Sequence, residues 1–495
     1  MSDILSVENI AKLERYRILE ADITRKPFDR FVEMLEIDAD LFVGTNQISQ
    51  WAPTEAGQAE AFAEAFADWF RWTPSHGWLF FNRLTGSFQE TFAESLAKTG
   101  VRRLAYHRQD MRGAADYKSA EQFARACQSN RSLEAVLSIA RDLSGIRADD
   151  ADFDANPELL NCQGVTIDLS GQNPERPTTP ADAFTRSTGT RPVEGETPVF
   201  DGFLAEITLA RADLAAWLLR WFAYCLTGNT AAPFFVNFWG GGRNGKGALL
   251  RLMRYIAGSY GITVSTRVVL DTGSLSGPRP DLVALNGPRL GEVAEIPPGL
   301  LAIGPVKQIT GGDPMTADRK HRDPIEFVPQ IKLTLVSNHR LEVRHVDIAT
   351  ARRFRLVPFQ FTVPEGREDP KLEDRLKAEA PQILARLIRE ASIYLQTPGP
   401  RGFPECPTIE TASADYLAGE DLVGRFLEER TVKTGHAAAG SLYRAFVEWT
   451  EAEGLTRPPS PRTFAEELAG RGIEKKRSAS GNFYQGVSFL PDDPV

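Results

Sequence analysis

Phe234-Phe-Val-Asn-Phe-Trp239-Gly240-Gly241-Gly242-Arg243-Asn244-Gly245-Lys246-Gly247-Ala248-Leu249-Leu250 is the stretch on which the fold turns. Its apolar run reads as a buried strand. Glycines break it, and apolar residues resume at Leu249, Leu250 and Met253 with the spacing of a helix. Between strand and helix lies Gly240-x-x-x-x-Gly245-Lys246, the pattern of a loop that cradles phosphate. Glycines let backbone N–H groups turn inward, the helix N-terminus supplies positive potential, and Lys246 adds a point charge. Gly240, Gly241, Gly242, Arg243, Asn244, Gly245, Lys246, Gly247 and Ala248 are therefore the candidate phosphate-binding residues. One departure stands out. Gly247 occupies the position where a Ser or Thr hydroxyl holds Mg²⁺, and Ala248 offers none either, so a metal would depend on water and on acids elsewhere.

A chain of 495 residues has room for about three domains. At 42% hydrophobic and 25% charged, its composition is that of a globular protein rather than a disordered one. The four cysteines, at 127, 162, 225 and 406, are far apart, which excludes a zinc ribbon or a Cys-x-x-Cys redox pair and fits a reducing cytoplasm. The N-terminus has no signal-peptide pattern, and the most apolar stretch, 214–226, is interrupted by Arg220. A cytoplasmic protein with no membrane segment is expected. The net charge of −9 argues against a generally basic surface, but residues 301–360 hold ten Lys and Arg against six Asp and Glu. A nucleic-acid site, if one exists, is local and internal.

From 234 to 360, apolar runs at 234–239, 261–264, 289–294 and 332–337 alternate with helical or loop segments. That is the rhythm of a mostly parallel sheet with ligands at the carboxyl ends of its strands. A triphosphatase needs an acid at such an end, and Glu295, closing Arg289-Leu-Gly-Glu-Val-Ala-Glu295, is the candidate for metal and water. Glu292 is its rival, better read as an edge charge or a partner for Arg289. Lys332-Leu-Thr-Leu-Val-Ser-Asn338 delivers an amide at a strand tip, as orienting an attacking water requires. Arg352 and Arg353 follow a helix-like turn; guanidinium groups neutralise a transferring phosphoryl group. Between acid and amide, Thr310-Gly311-Gly312-Asp313-Pro314 leads to Arg319, Lys320, His321 and Arg322 at a hairpin tip. Two readings stand for that tip: a finger gripping a DNA strand in a pore, or an exposed charged turn.

Residues 1–170 read mainly as helices, with Trp51, Trp69, Trp72, Trp78 and Phe80 as an aromatic core. Asp38-Ala39-Asp40 is read as solvated surface rather than a metal site. Residues 171–198 read as a linker, 369–395 as a helical lid, and 410–495 as a separate domain. Its helices followed by a hairpin suggest a winged helix that touches duplex through Lys475-Lys476-Arg477, or a tail used for packing.

This order of motifs resembles the phage and plasmid primase–helicase family, whose motor is a superfamily III helicase of the AAA+ class. The matching stretches are 240–246, Asp281 to Leu290, Glu295, Gln308 to Ala317, Lys332 to His339 and Arg352 to Phe359, joined upstream by Asp152 to Asn161 and Leu226 to Thr230. The resemblance implies an α/β fold: a helical N-terminal or collar domain (1–200), a P-loop AAA+ motor (201–362), a helical lid (363–408) and a winged-helix domain (409–495). It implies a hexameric ring that hydrolyses ATP with Mg²⁺ and moves along DNA. Lys246 would bind phosphates, Glu295 serve metal and water, Asn338 act as sensor, Arg352 or Arg353 as finger, and Lys320 and His321 line the pore. Larger relatives also prime; no primase motif is recognisable here. The competing readings are a primase–helicase and an ATP-binding initiator or scaffold that does not unwind.

Overall fold

The computed structural model describes residues 26–45, 48–109, 117–171, 175–271, 279–297, 299–319, 324–339, 341–343, 348–453, 458–478 and 481–490. They form two compact units, one of residues 1–194 with 255–260, the other of 195–254 with 261–495.

The first unit carries the helices expected and, beyond them, two small sheets that were not. Its helices are α1 (Pro27–Thr45) and α2 (Glu55–Phe66), then, after a first sheet, α3 (Ala93–Gln109), α4 (Tyr117–Ala126) and α5 (Asn130–Ala140). Two three-stranded antiparallel sheets accompany them: β1 (Phe70–Thr73), β2 (Gly77–Asn82) and β3 (Ser87–Gln89), then β4 (Leu159–Asn161), β5 (Val165–Asp168) and β6 (Arg176–Pro177). Thr54 and Ser129 cap α2 and α5 by accepting from Gly57 N–H and Ser132 N–H. The aromatic core is present, but half of it stands on strands. Trp69, Phe70 and Phe80 are buried with Phe62 and Phe66, and Trp51, Trp72 and Trp78 pack at the margin. Asp38 is not solvated surface either. It is buried, accepts from Trp69 Nε1 at 2.6 Å and pairs with Arg83 at 3.1 Å, while Asp40 accepts from Arg103 and His107. Both carboxylates are committed to cations and donors, which excludes the metal reading on firmer ground than exposure.

The stretch read as a linker is irregular but packed. Phe184, Ser187 and Thr188 are buried, and Asn161 staples the surrounding loops. Its Nδ2 donates to the carbonyls of Thr85, Gly86 and Arg186 at 2.8–3.0 Å, and its Oδ1 accepts from Gly164 N–H at 3.1 Å.

The second unit is built on a five-stranded parallel sheet. After α6 (Pro198–Ile207) and α7 (Ala212–Leu226) come β7 (Phe235–Trp239), α8 (Lys246–Ala257), β8 (Gly261–Thr263) and β9 (Leu290–Val293). Then follow α9 (Ile303–Gly311), the antiparallel pair β10 (Met315–Ala317) and β11 (Ile325–Phe327), β12 (Lys332–Ser337), α10 (Ile348–Arg353) and β13 (Phe354–Pro358). The strand order is β13-β7-β12-β9-β8, every pair parallel. Parallel strands are covered on both faces, which is why β7 and β12 are nearly continuous apolar runs.

Helices α11 (Leu372–Ala378), α12 (Ala380–Gln396) and α13 (Pro407–Glu420) follow. α12 packs on α7, and α13 covers the edge strand β13, with Ser413 Oγ accepting from Leu356 N–H at 2.9 Å. The buried cations Arg289 and Lys332 cap the carboxyl end of α7. Arg289 Nη1 donates to Leu226 O at 2.7 Å, and Lys332 Nζ to the carbonyls of Thr227 and Gln330. Arg289 thus serves a helix terminus.

The last 75 residues of the chain carry α14 (Leu422–Arg430), β14 (Thr431–Val432), β15 (His436–Ala438), α15 (Ala439–Ala452), α16 (Pro461–Gly470), β16 (Glu474–Ser478), β17 (Gly481–Gln485) and β18 (Ser488–Phe489). The expected hairpin is the β16–β17 pair, and Phe446, Trp449 and Phe464 form the core beneath it. Ser460 caps α16 from Thr463 N–H. Among the described residues no helix is long and apolar enough to cross a membrane.

Asn161→Ala leaves three carbonyls without their donor, at about 1–3 kcal/mol for each buried polar group left unpaired. Calorimetry of the variant is expected to show the melting transition of the first unit lowered by several degrees. An unmoved transition would show that Asn161 does not fasten these loops.

Candidate phosphate site at the carboxyl edge of the sheet

Register brings the strand ends level. Pro358, Trp239 and Ser337 lie side by side, as do Val293, Leu335 and Asn237. Gly240, Asn338 and Glu295 follow these strands, so all three leave the sheet at one edge. The loop after β7 needs its glycines at two places. Gly240 has φ +152°, and a Cβ there would sit 2.3 Å from Phe359 O; Gly245 has φ +83°, and a Cβ would strike Ile207 Cγ2 at 2.4 Å. Helix α6 therefore packs directly beneath the loop. Asn244 is buried and ties the loop to β13: its Nδ2 donates to Gly241 O at 2.7 Å and Phe359 O at 3.4 Å.

Lys246 opens α8 with its ammonium in that loop. Nζ donates to Gly240 O at 2.5 Å, Gly241 O at 3.3 Å and Asn338 Oδ1 at 3.1 Å. The structure thus joins the lysine and the strand-tip amide, two residues 92 positions apart. Loss of solvent depresses the ammonium to about 8.

Glu295 is exposed two residues beyond β9, in the left-handed conformation at φ +48°. A non-glycine residue held there is uncommon, and such strain gathers at functional sites. Glu292, inside β9, is half-buried. Burial raises its carboxyl above the usual range, and Arg254 and Arg251 oppose that shift. Its charged neighbours are thus on α8, whereas Arg289 is engaged at the end of α7.

Arg352 and Arg353 close α10 and immediately precede β13, whose first residue, Phe354, is level with Phe235 at the start of β7. They therefore stand at the amino edge of the sheet, opposite the phosphate loop of their own chain. The β10–β11 hairpin forms as predicted, and Arg319 is half-buried where it leaves β10. Lys320, His321 and Arg322 lie outside the described residues.

A cavity of about 450 Å³ opens beside the loop, walled by Ile207, Gly245, Ala248, Val363, Leu372 and Arg375. The segment 361–378 closes it, held by ion pairs from Arg243 to Glu368 and from Arg251 to Glu373. The sequence reading missed these partners. The one local sign was Arg251, a helical turn after the hydroxyl-less Gly247. A Cβ built on Gly247 meets no backbone; its nearest neighbour is Arg251 Nη1 at 3.0 Å. No hydroxyl stands next to Lys246 to hold Mg²⁺, and the side-chain group nearest to that position is the Arg251 guanidinium.

Two family models match the chain: "D5 N terminal like" over residues 59–209 and a family of unknown function (DUF5906) over residues 238–353. A mimivirus protein of Acanthamoeba polyphaga named "Putative helicase L207/L206" is 30% identical over 161 residues, 32% of this chain and 17% of its own length. "Putative helicase 022R" of Frog virus 3 is 28% identical over 261 residues, 47% of this chain and 27% of its own. The chain thus spans less than a third of either relative. Among solved structures, the NrS-1 C-terminal region superposes with a TM-score of 0.41 at 11% identity, over 72% of this chain and 88% of that one.

If Lys246 carries its depressed ammonium in the free protein, competitive acetylation read by mass spectrometry will give it a midpoint near 8, and inorganic pyrophosphate will raise that midpoint. A midpoint above 10 without anion would contradict the loss of solvent around this ammonium. These matches, over residues 59–209 and 238–353 and to two viral putative helicases, bear out the resemblance to the phage and viral primase–helicase family.

Proposed function

We propose that this chain is an ATP-driven DNA helicase whose second unit is a superfamily III motor of the AAA+ class. The observation that carries the reading is the contact of Lys246 Nζ with Asn338 Oδ1 at the carboxyl edge of a parallel sheet. A phosphate-binding ammonium and a water-orienting amide meet where nucleotide binds in such sheets. ATP would lie along Gly240–Ala248 with its β- and γ-phosphates at Lys246. Mg²⁺, brought in by the nucleotide, would be held by Glu295 through water rather than by a loop hydroxyl, and would serve the hydrolytic step.

Arg352 and Arg353 stand at the wrong edge to serve their own phosphate loop. In a ring of copies, proposed as a hexamer, they would complete a neighbour's site, where such a finger is worth ~10³–10⁵ in rate. The tip 319–322 would hold single-stranded DNA in the central pore. We propose that residues 409–495 form a winged helix, with Lys475, Lys476 and Arg477, exposed on β16, facing duplex at the fork. A second reading keeps ATP binding but no unwinding, as an initiator or scaffold. The missing hydroxyl at Gly247 favours it. Priming would require a site elsewhere.

Unwinding of a forked duplex, compared with ATPase rates with and without single strands, separates these readings. Lys246→Ala is expected to abolish turnover. Glu295→Gln should retain ATP binding and lose hydrolysis by roughly 10²-fold or more; normal hydrolysis would remove the acid assignment. Lys320→Ala should keep basal ATPase and lose its stimulation by single strands, and intact stimulation would take the tip out of the pore.

A further inference from the structure

Gly247 is a glycine that the backbone does not require. It lies in the first turn of α8, and among the described residues a Cβ added there would meet no backbone outside its own helix; the nearest side chain is that of Arg251, with Nη1 at 3.0 Å and Cζ at 3.8 Å. Arg251, four residues on, lies on the same helix face. Its position is fixed from two directions. It pairs with Glu373 on α11, and its charge acts on Glu292 of β9 together with that of Arg254. It also lines the cavity beside Gly247 and Ala248, across from Leu372 and Arg375.

A loop hydroxyl in this place serves to hold a divalent cation against the β- and γ-phosphates. A guanidinium does part of that work directly. It is always charged, and its planar fork meets phosphate oxygens two at a time. The same charge opposes a divalent ion on that side of the loop. Because the Arg251 side chain is 60% exposed, it can exchange Glu373 for a phosphate by moving only its outer atoms.

Resting on the nucleotide reading above, we propose that Arg251 is a phosphate-binding residue that takes over the charge-neutralising role of the absent hydroxyl and its metal ion. Nucleotide binding, as distinct from hydrolysis, then depends little on Mg²⁺, and Glu373 is the counter-ion that Arg251 gives up when the phosphates arrive.

The test is ATP affinity by titration calorimetry on the full chain, in Mg²⁺ and in EDTA. The wild-type protein should bind in both, within about threefold, and R251Q should lose about tenfold or more in EDTA, the worth of a charge-assisted contact. The pair G247S/R251Q should regain affinity only with Mg²⁺. E373Q, which removes the helix–helix ion pair but leaves Arg251, should bind as tightly as wild type. Equal binding by R251Q and wild type in EDTA would overturn the proposal while leaving the nucleotide reading intact. An E373Q loss as large as that of R251Q would overturn it too, since the effect would belong to the ion pair. A wild-type chain that binds ATP in neither condition would overturn the proposal and the nucleotide reading together.

Discussion

A buried contact between two strands, Ser337 Oγ donating to Asn237 Oδ1 at 3.0 Å, sets the register on which the carboxyl edge depends. It joins β12 to β7, and α7 reinforces it from above through Trp221 Nε1, which donates to Thr334 Oγ1 at 3.0 Å. Polar pairs in an apolar sheet are costly unless matched, so only one alignment satisfies them. A slip of one residue would part both pairs and carry Asn338 away from Lys246. The Lys246–Asn338 contact is thus a consequence of strand register rather than of anything near Lys246 in the sequence.

That dependence explains which parts of the chain were legible. A phosphate loop declares itself locally, because glycine, lysine and the change from strand to helix spacing fall within seventeen residues. Asn338 was legible from its place at a strand tip, but the strand order that puts β12 beside β7 is not written in the local pattern. The strands of the first unit were missed for the opposite reason. β1 and β2 are dense in aromatic residues with little alternation, and β3 is three residues long, so no period of two was visible. The turn signals were there: Gly77 and Gly86, both at positive φ, punctuate the two hairpin turns. Residues 171–198 looked loose because they are polar and proline-rich. What fastens residues 186–190 is Asn161 and the hydroxyls of Ser187 and Thr188, which bond within the fold.

The charged residues show the same divide. Composition gave a local excess of Lys and Arg between 301 and 360, yet the described cations among them do not act as one surface. Lys332 is wholly buried at the end of α7, where loss of solvent pulls its ammonium down to about 7 and carbonyl acceptors hold it, while Arg352 is exposed on α10 at the far edge of the sheet. Counting charge cannot separate a helix cap from a candidate finger. Burial and strand direction do.

The cations around the phosphate loop raise a further point about partner exchange. Arg243 and Arg251, from the loop and its helix, each pair with a carboxylate of the closing segment, Glu368 and Glu373. Both pairs are largely exposed, and ion pairs in water stabilise little, so they do not lock the segment down. They hold two guanidinium groups that line the cavity. A triphosphate offers the same groups a denser negative charge in a less solvated place, where charge-assisted contacts are stronger. Binding would then free Glu368 and Glu373 from the loop side, so anion capture and movement of 361–378 would draw on one set of contacts. Closure of the segment and occupancy of the loop are, on this account, one equilibrium seen from two sides.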